Sequence, residues 1–203
     1  MLEAIINKNL MFLQKYGVKM DSDEDKDIYK YGLQIVYSYI IDLIIIFSLA
    51  SLFGKLYETS IMIFIFALLQ AFGGGYHAKT KFGCLSLMVI GSIVGNILVD
   101  VIINYKIFMI ASAIVLTIVI LILIPIKNKN HPVSRKIYMR SKFISRFIMI
   151  LCILVMLSLI TINKNNEVAV IISTLYLYVI SLIIVKVGVA PAFPTKEALR
   201  KKS

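Results

Sequence analysis

The sequence predicts an all-α, polytopic membrane protein: a helical bundle of about six transmembrane or re-entrant helices, preceded by an amphipathic helix in the membrane interface. Three observations predict it. Of 203 residues, 60% are hydrophobic and the mean hydropathy is +0.89, whereas soluble domains are nearer half apolar. Five apolar runs, at 33–53, 84–103, 107–126, 143–162 and 168–187, reach or approach the roughly 20 residues that cross a bilayer. The cations, finally, collect between alternate runs, as the positive-inside rule expects.

The elements follow in chain order. Over residues 2–15, Leu2, Ile5, Ile6, Leu10 and Leu13 share one helical face, with Lys8 and Lys15 elsewhere. That pattern suits a helix lying in the inner interface. Asp21-Ser22-Asp23-Glu24-Asp25 reads as a solvated link into the first span. Residues 1–32 are too charged to hold the apolar core of a cleavable signal peptide. The run 60–76 is short and ends in Gly73, Gly74 and Gly75, so it is either a short span or a re-entrant segment sheltered by protein.

Charge arbitrates between these. With six spans, one side receives five Lys before the first span, Lys79 and Lys81, and the seven cations of 127–146 (Lys127, Lys129, Arg135, Lys136, Arg140, Lys142, Arg146). The same side receives Lys186, Lys196, Arg200, Lys201 and Lys202, and the other only Lys55, Lys106 and Lys164. A re-entrant 60–76 would move the 127–146 segment outside, so six spans with both termini cytoplasmic are favoured. The chain then forms one integral membrane domain over 1–203, with an interfacial segment 1–32, a bundle 33–187 and a basic tail 188–203. The net charge of +11 is gathered between apolar runs, which points to membrane orientation and an acidic partner rather than to nucleic acid.

One break stands out: Gly73-Gly74-Gly75-Tyr76-His77-Ala78-Lys79-Thr80-Lys81-Phe82-Gly83-Cys84. At the cytoplasmic edge a thiol stays reduced, and a nearby imidazole can take its proton or hold it as an ion pair. On one continuous helix the seven-residue spacing would separate the two residues by roughly 10.5 Å along the axis, while proton transfer needs roughly 3 Å. The backbone must therefore bend, and Gly83 with Lys79-Thr80-Lys81 permits it. Gly74 and Gly75 would let the backbone approach a substrate and offer N–H groups to an oxyanion. With two His and two Cys in the chain, spacing alone leaves open an interfacial His beside a small Cys opening the next span.

The segment "GGYHAKTKFGC" resembles the accessory gene regulator B (AgrB) family of membrane peptide-processing proteases, marked by a Gly-rich His-Ala-Lys segment with a Cys seven residues after the His. Pro125-Ile126-Lys127-Asn128-Lys129-Asn130-His131-Pro132, continuing to Ser141, is similar to that family's Pro-x4-Asn-x-Pro segment after the fourth span. The chain departs from the family at Gln70, where an Arg is frequent, and in the purely basic character of 127–146.

The resemblance implies a thiol protease of the bacterial cell membrane, of Gram-positive type, working in quorum sensing. Its substrate would be an AgrD-like precursor: an amphipathic leader, a short core with a Cys or Ser, and an acidic C-terminal tail. Cys84 would attack the carbonyl joining core to tail, with His77 as base and then acid. The core, held as a thioester on Cys84, would close into a thiolactone or lactone, the autoinducing peptide. Family likeness also implies a homodimer. Lys79, Lys81, Arg135, Lys136 and Arg140 are candidates for attracting the acidic tail, or alternatively for holding anionic lipid. Gln70, Thr80 and Ser86 are near enough in sequence to orient His77.

Other residues carry less. Asp42 is mid-span, where a carboxylate is costly and a hydrogen-bonding role is expected; Asp100 is expected at the headgroups. His131 is an alternative base, and Cys152, among Ile and Leu, is expected to be chemically silent. Gly91 and Gly95 have the spacing of a close helix contact. Two His and two Cys give no metal-ligand cluster, no cofactor is implied, and no phosphate loop suggests an ATP-driven pump. The competing class is a non-enzymatic transporter or scaffold for peptide export, with Asp42 binding an ion or proton.

Overall fold

The computed structural model describes residues 2–18, 22–76, 78, 80–126 and 135–187. Among these there are seven helices and no strand: α1 (Leu2–Lys15), α2 (Asp23–Leu52), α3 (Leu56–Gly73), α4 (Lys81–Ile102), α5 (Lys106–Leu123), α6 (Arg135–Thr161) and α7 (Asn165–Val187). α1 matches the predicted interfacial helix, and the other six are long and apolar enough to cross a membrane. The chain divides into two compact units, Met1–Ser48 and Leu49–Ser203, the boundary falling within α2.

In the first unit, the Asn9 amide of α1 donates to the Tyr37 hydroxyl of α2 at 2.8 Å, and Ile6 is fully buried. Met11, Phe12 and Tyr16 remain exposed, as suits a helix with an apolar face toward lipid. α2 takes in part of the acidic run that the sequence suggested as a solvated link. Asp23–Asp25 form the first turn of α2. The Asp25 N–H donates to Ser22 Oγ at 3.1 Å while the Asp25 carboxylate accepts from the Ser22 N–H at 3.2 Å. This reciprocal pair satisfies two donors at a helix start, where acids also suit the helix dipole.

The second unit is organised around α7, the most buried of the six long helices. α3, α4, α5 and α6 all pack on it. Its first half is sealed by Val168, Ala169, Val170, Ile172 and Leu175. Apolar contact alone does not draw helices together in lipid, so close approach and polar bonds between helices carry much of the association. α4 comes close at Gly95, whose carbonyl accepts from Ser173 Oγ of α7 at 2.7 Å. A Cβ on Gly95 would lie 2.6 Å from Met62 Sδ and 3.1 Å from Leu177 Cδ1. Ser112 of α5 and Tyr176 of α7 share a hydroxyl–hydroxyl bond of 2.8 Å.

The run suggested at 60–76 is the regular helix α3, which begins four residues earlier and ends at Gly73. Its 18 residues rise ~27 Å, close to the thickness of a hydrocarbon core. Bonds between elements fix which ends of this unit lie together. Lys55 pairs with Asp100 at 2.6 Å, and Asn166 donates to Glu58 at 3.4 Å, joining the start of α3, the end of α4 and the start of α7. At the opposite end, the Ile126 N–H just beyond α5 donates to the Gly73 carbonyl at 3.1 Å. There the glycine-rich break, the exit of α5 and the second half of α7 meet.

Candidate functional site

The break is built by ending α3 abruptly against α7. Gly74 caps the helix with φ +80°, and its N–H donates to the Gln70 carbonyl at 3.1 Å. That region of backbone space suits glycine. The neighbouring glycines are needed for room. A Cβ on Gly73 would collide with the Tyr178 hydroxyl, and one on Gly75 would lie 2.9 Å from Ser181 Oγ and 3.3 Å from Gln70 Cγ.

Side chains of α7 and α3 then hold backbone groups at the helix end and just beyond it. The Tyr178 hydroxyl donates toward the carbonyls of Leu69 at 3.0 Å and Gly74 at 2.9 Å. Ser181 Oγ accepts from the Tyr76 N–H at 2.8 Å, and the Gln70 side-chain amide donates to the Tyr76 carbonyl at 2.8 Å. Both polar groups of Tyr76 are thereby held, one from α7 and one from α3. The Gly74 N–H is committed to closing α3, so service to a substrate oxygen would require that bond to open.

α4 starts after the break. Thr80 is its N-cap, in extended conformation, with Oγ1 accepting from the Gly83 N–H at 3.0 Å; the Cys84 N–H donates to the Thr80 carbonyl at 3.0 Å. Cys84 is consequently in the first turn of a long helix, partly exposed, and it forms no disulfide. Phe82 beside it is strongly exposed. The reversal of the chain occurs before Lys81: Gly83, expected at the bend, is helical.

His77, Lys79 and His131 lie outside the described residues, and Lys81 and Arg135 are described by backbone alone. Lys136 and Arg140, one turn apart at the start of α6, are exposed, and Ser86 is half-buried. Gln70, Gly74 and Gly75 are brought together with Tyr76. Asp42 is buried in α2 and Cys152 in α6, while Asp100 is paired with Lys55 rather than left to headgroups alone. Among the described residues no group of His, Cys, Asp and Glu could hold a metal.

The family model described as accessory gene regulator B matches residues 6–187, from the first turns of α1 to the end of α7. The chain belongs to the AgrB family. It is therefore a multi-pass membrane protein of the agr quorum-sensing pathway, whose family acts with a precursor peptide. No curated protein matches the chain, and no solved structure matches it.

In this AgrB-family fold the residues that sequence reasoning missed are Tyr178 and Ser181. Both sit in a run read only as a span. A signal was present: they are three residues apart, so they share a helical face, and hydroxyls within a span usually turn toward protein. The sequence could not indicate that their partners lie more than 100 residues earlier.

Proposed function

We propose that this AgrB-family chain is a membrane cysteine endopeptidase that cleaves an AgrD-like precursor through a thioester on Cys84 and promotes closure of the released core into a ring. The observation that carries the reading is Cys84 itself, partly exposed in the first turn of α4 directly after the anchored break. The positive end of a helix dipole favours an anionic sulfur in the first turn. His77, seven residues earlier, takes the thiol proton.

The thiolate adds to the carbonyl that joins core to tail, and the carbonyl π electrons move to oxygen. The oxyanion collapses and the C–N bond breaks. His77 protonates the departing tail amine, leaving the core as an acyl thioester. The core's own thiol or hydroxyl then adds to that carbonyl, gives its proton to His77, and expels the Cys84 thiolate. Ring closure keeps the acyl-transfer potential that hydrolysis would discard, so the site must hold the core near and exclude water. The N–H groups that open α4 ahead of Gly83 and Cys84, whose own N–H groups Thr80 holds, suit the oxyanion, as do those of Gly74 and Gly75 if the α3 cap loosens.

The cationic segment supports recognition of an acidic tail. In sequence it follows Ile126, whose N–H is bonded to the Gly73 carbonyl, and Lys136 and Arg140 at the start of α6 are exposed. The charge distribution further supports a cytoplasmic site and cytoplasmic termini, and the family likeness supports a Gram-positive cell membrane and a second copy as the partner subunit.

The experiment is a cleavage assay in membranes with the cognate precursor. Cys84→Ala abolishes cleavage while the protein still inserts, and the wild type yields a core–protein adduct that hydroxylamine releases. A Cys84→Ala protein that cleaves normally would reject the reading and favour a transporter or scaffold.

A further inference from the structure

We infer that Tyr178 and Ser181 of α7, acting with Gln70 of α3, are positioning residues that set the geometry of the thiol site from outside it; this rests on the function proposed above. A helix that merely ended at the bundle's edge could leave its last carbonyls to water or headgroups. Here the hydroxyl of a fully buried tyrosine is shared between the cap carbonyl of Gly74, at 2.9 Å, and the Leu69 carbonyl inside α3, at 3.0 Å. The ring is itself held in place, edge-on to Phe66 of α3, with centroids 6.0 Å apart. The hydroxyl's location also excludes any side chain at Gly73.

Three residues further along α7, Ser181 holds the Tyr76 N–H, and Gln70 holds the Tyr76 carbonyl. The peptide groups on both sides of Tyr76 are planar, so α3 and α7 between them fix the backbone of the break at Tyr76. The reactive thiol of Cys84 rides on α4, which is bonded to the same α7 through Ser173 and Gly95. α7 is thus the common frame for both sides of the break. Acyl transfer is sensitive to displacements of about 1 Å, which can cost roughly 100-fold in rate. None of the three side chains has to touch the substrate to matter.

The test needs no knowledge of the precursor. Alkylation of Cys84 by iodoacetamide is followed against pH in the full-length protein in detergent, in a Cys152→Ala background, beside His77→Ala as reference. Ser181→Ala and Tyr178→Phe are expected to slow alkylation at neutral pH about tenfold and to move the pH profile to that of His77→Ala. Ser181→Thr, which keeps the hydroxyl, retains most of the wild-type rate. Gly73→Ala displaces the Tyr178 hydroxyl without removing it and gives the Tyr178→Phe profile. Thermal midpoints report folding separately.

Folded Ser181→Ala and Tyr178→Phe proteins with wild-type profiles, beside an altered His77→Ala, would overturn the positioning role and leave the proposed function standing. A His77→Ala profile identical to wild type would instead overturn the His77–Cys84 pairing on which both rest. If Tyr178→Phe fails to fold, Ser181→Ala against Ser181→Thr decides the matter, because an unchanged Ser181→Ala profile overturns the inference alone.

Discussion

Thr80 shows how much one side chain does at the start of α4. Its hydroxyl accepts the Gly83 N–H and its carbonyl accepts that of Cys84, so it closes the turn that carries the thiol. Replacing such a cap by alanine costs about 1 kcal/mol. Thr80→Ala therefore lowers the thermal midpoint modestly and slows cleavage, while Thr80→Ser restores both; equal midpoints for the three proteins would contradict the capping role. A second prediction at this scale concerns protons. A thiolate partnered by imidazole loses reactivity when the pair gains a proton, and an unperturbed imidazole charges near pH 6.5. Cleavage is expected to fall steadily from about pH 8 to about pH 5, measured as initial rate at saturating precursor. A flat profile would remove His77 as the base or show that another step limits the rate. The residues of the break were legible in the sequence as a set, because glycines beside His and Cys between apolar runs are unusual. The reason for each glycine was not. Gly73 answers to Tyr178 and Gly75 to Ser181, partners from the far end of the chain that only packing brings near.

Elements were legible wherever apolar periodicity was strong and uninterrupted. The interfacial helix was read at 2–15 and is α1, and the runs 107–126 and 168–187 correspond to α5 and α7. Starts were read late where polar residues open a helix. α2 begins at the acidic Asp23, α3 includes Glu58 and the buried Thr59, and α4 takes in Lys81 and Gly83. Helical capping at Ser22 and Thr80 outweighed the polarity that suggested loop. The glycine pair of α4 divides by the same kind of evidence. Gly95 packs against α3 and α7, whereas a Cβ on Gly91 would meet nothing within 4 Å. Overpacking a close contact typically costs about 1–3 kcal/mol, so Gly95→Leu lowers the thermal midpoint in detergent. Gly91→Ala leaves it unchanged or raises it, since alanine is the better helix former by about 1 kcal/mol. Equal destabilisation by both would mean that Gly91 also packs against protein, as it would in an assembly of two copies.

For the molecule as a whole, charge and apolar surface divide the labour. The broad exposed apolar faces of α2, α4, α5 and α6 are what a bilayer covers, and they explain why a chain so hydrophobic buries comparatively little within itself. Among the described residues, Lys81 at the start of α4, Lys136 and Arg140 at the start of α6 and Lys186 at the end of α7 carry the charge instead. Such cations would draw an acidic peptide tail and anionic headgroups alike, and ionic strength weakens both attractions. Substrate kinetics separates the two. Replacing Lys136 and Arg140 by Gln removes two exposed charges without touching the packed core. If they steer the tail, KM for an acidic-tailed precursor rises about three- to tenfold while kcat holds, because exposed charges act mainly on encounter. The effect vanishes with a precursor whose tail is neutral, and added salt brings wild type and variant together. If they serve only the lipid, KM is the same for both tails, and the difference between proteins follows the fraction of anionic lipid in the vesicles.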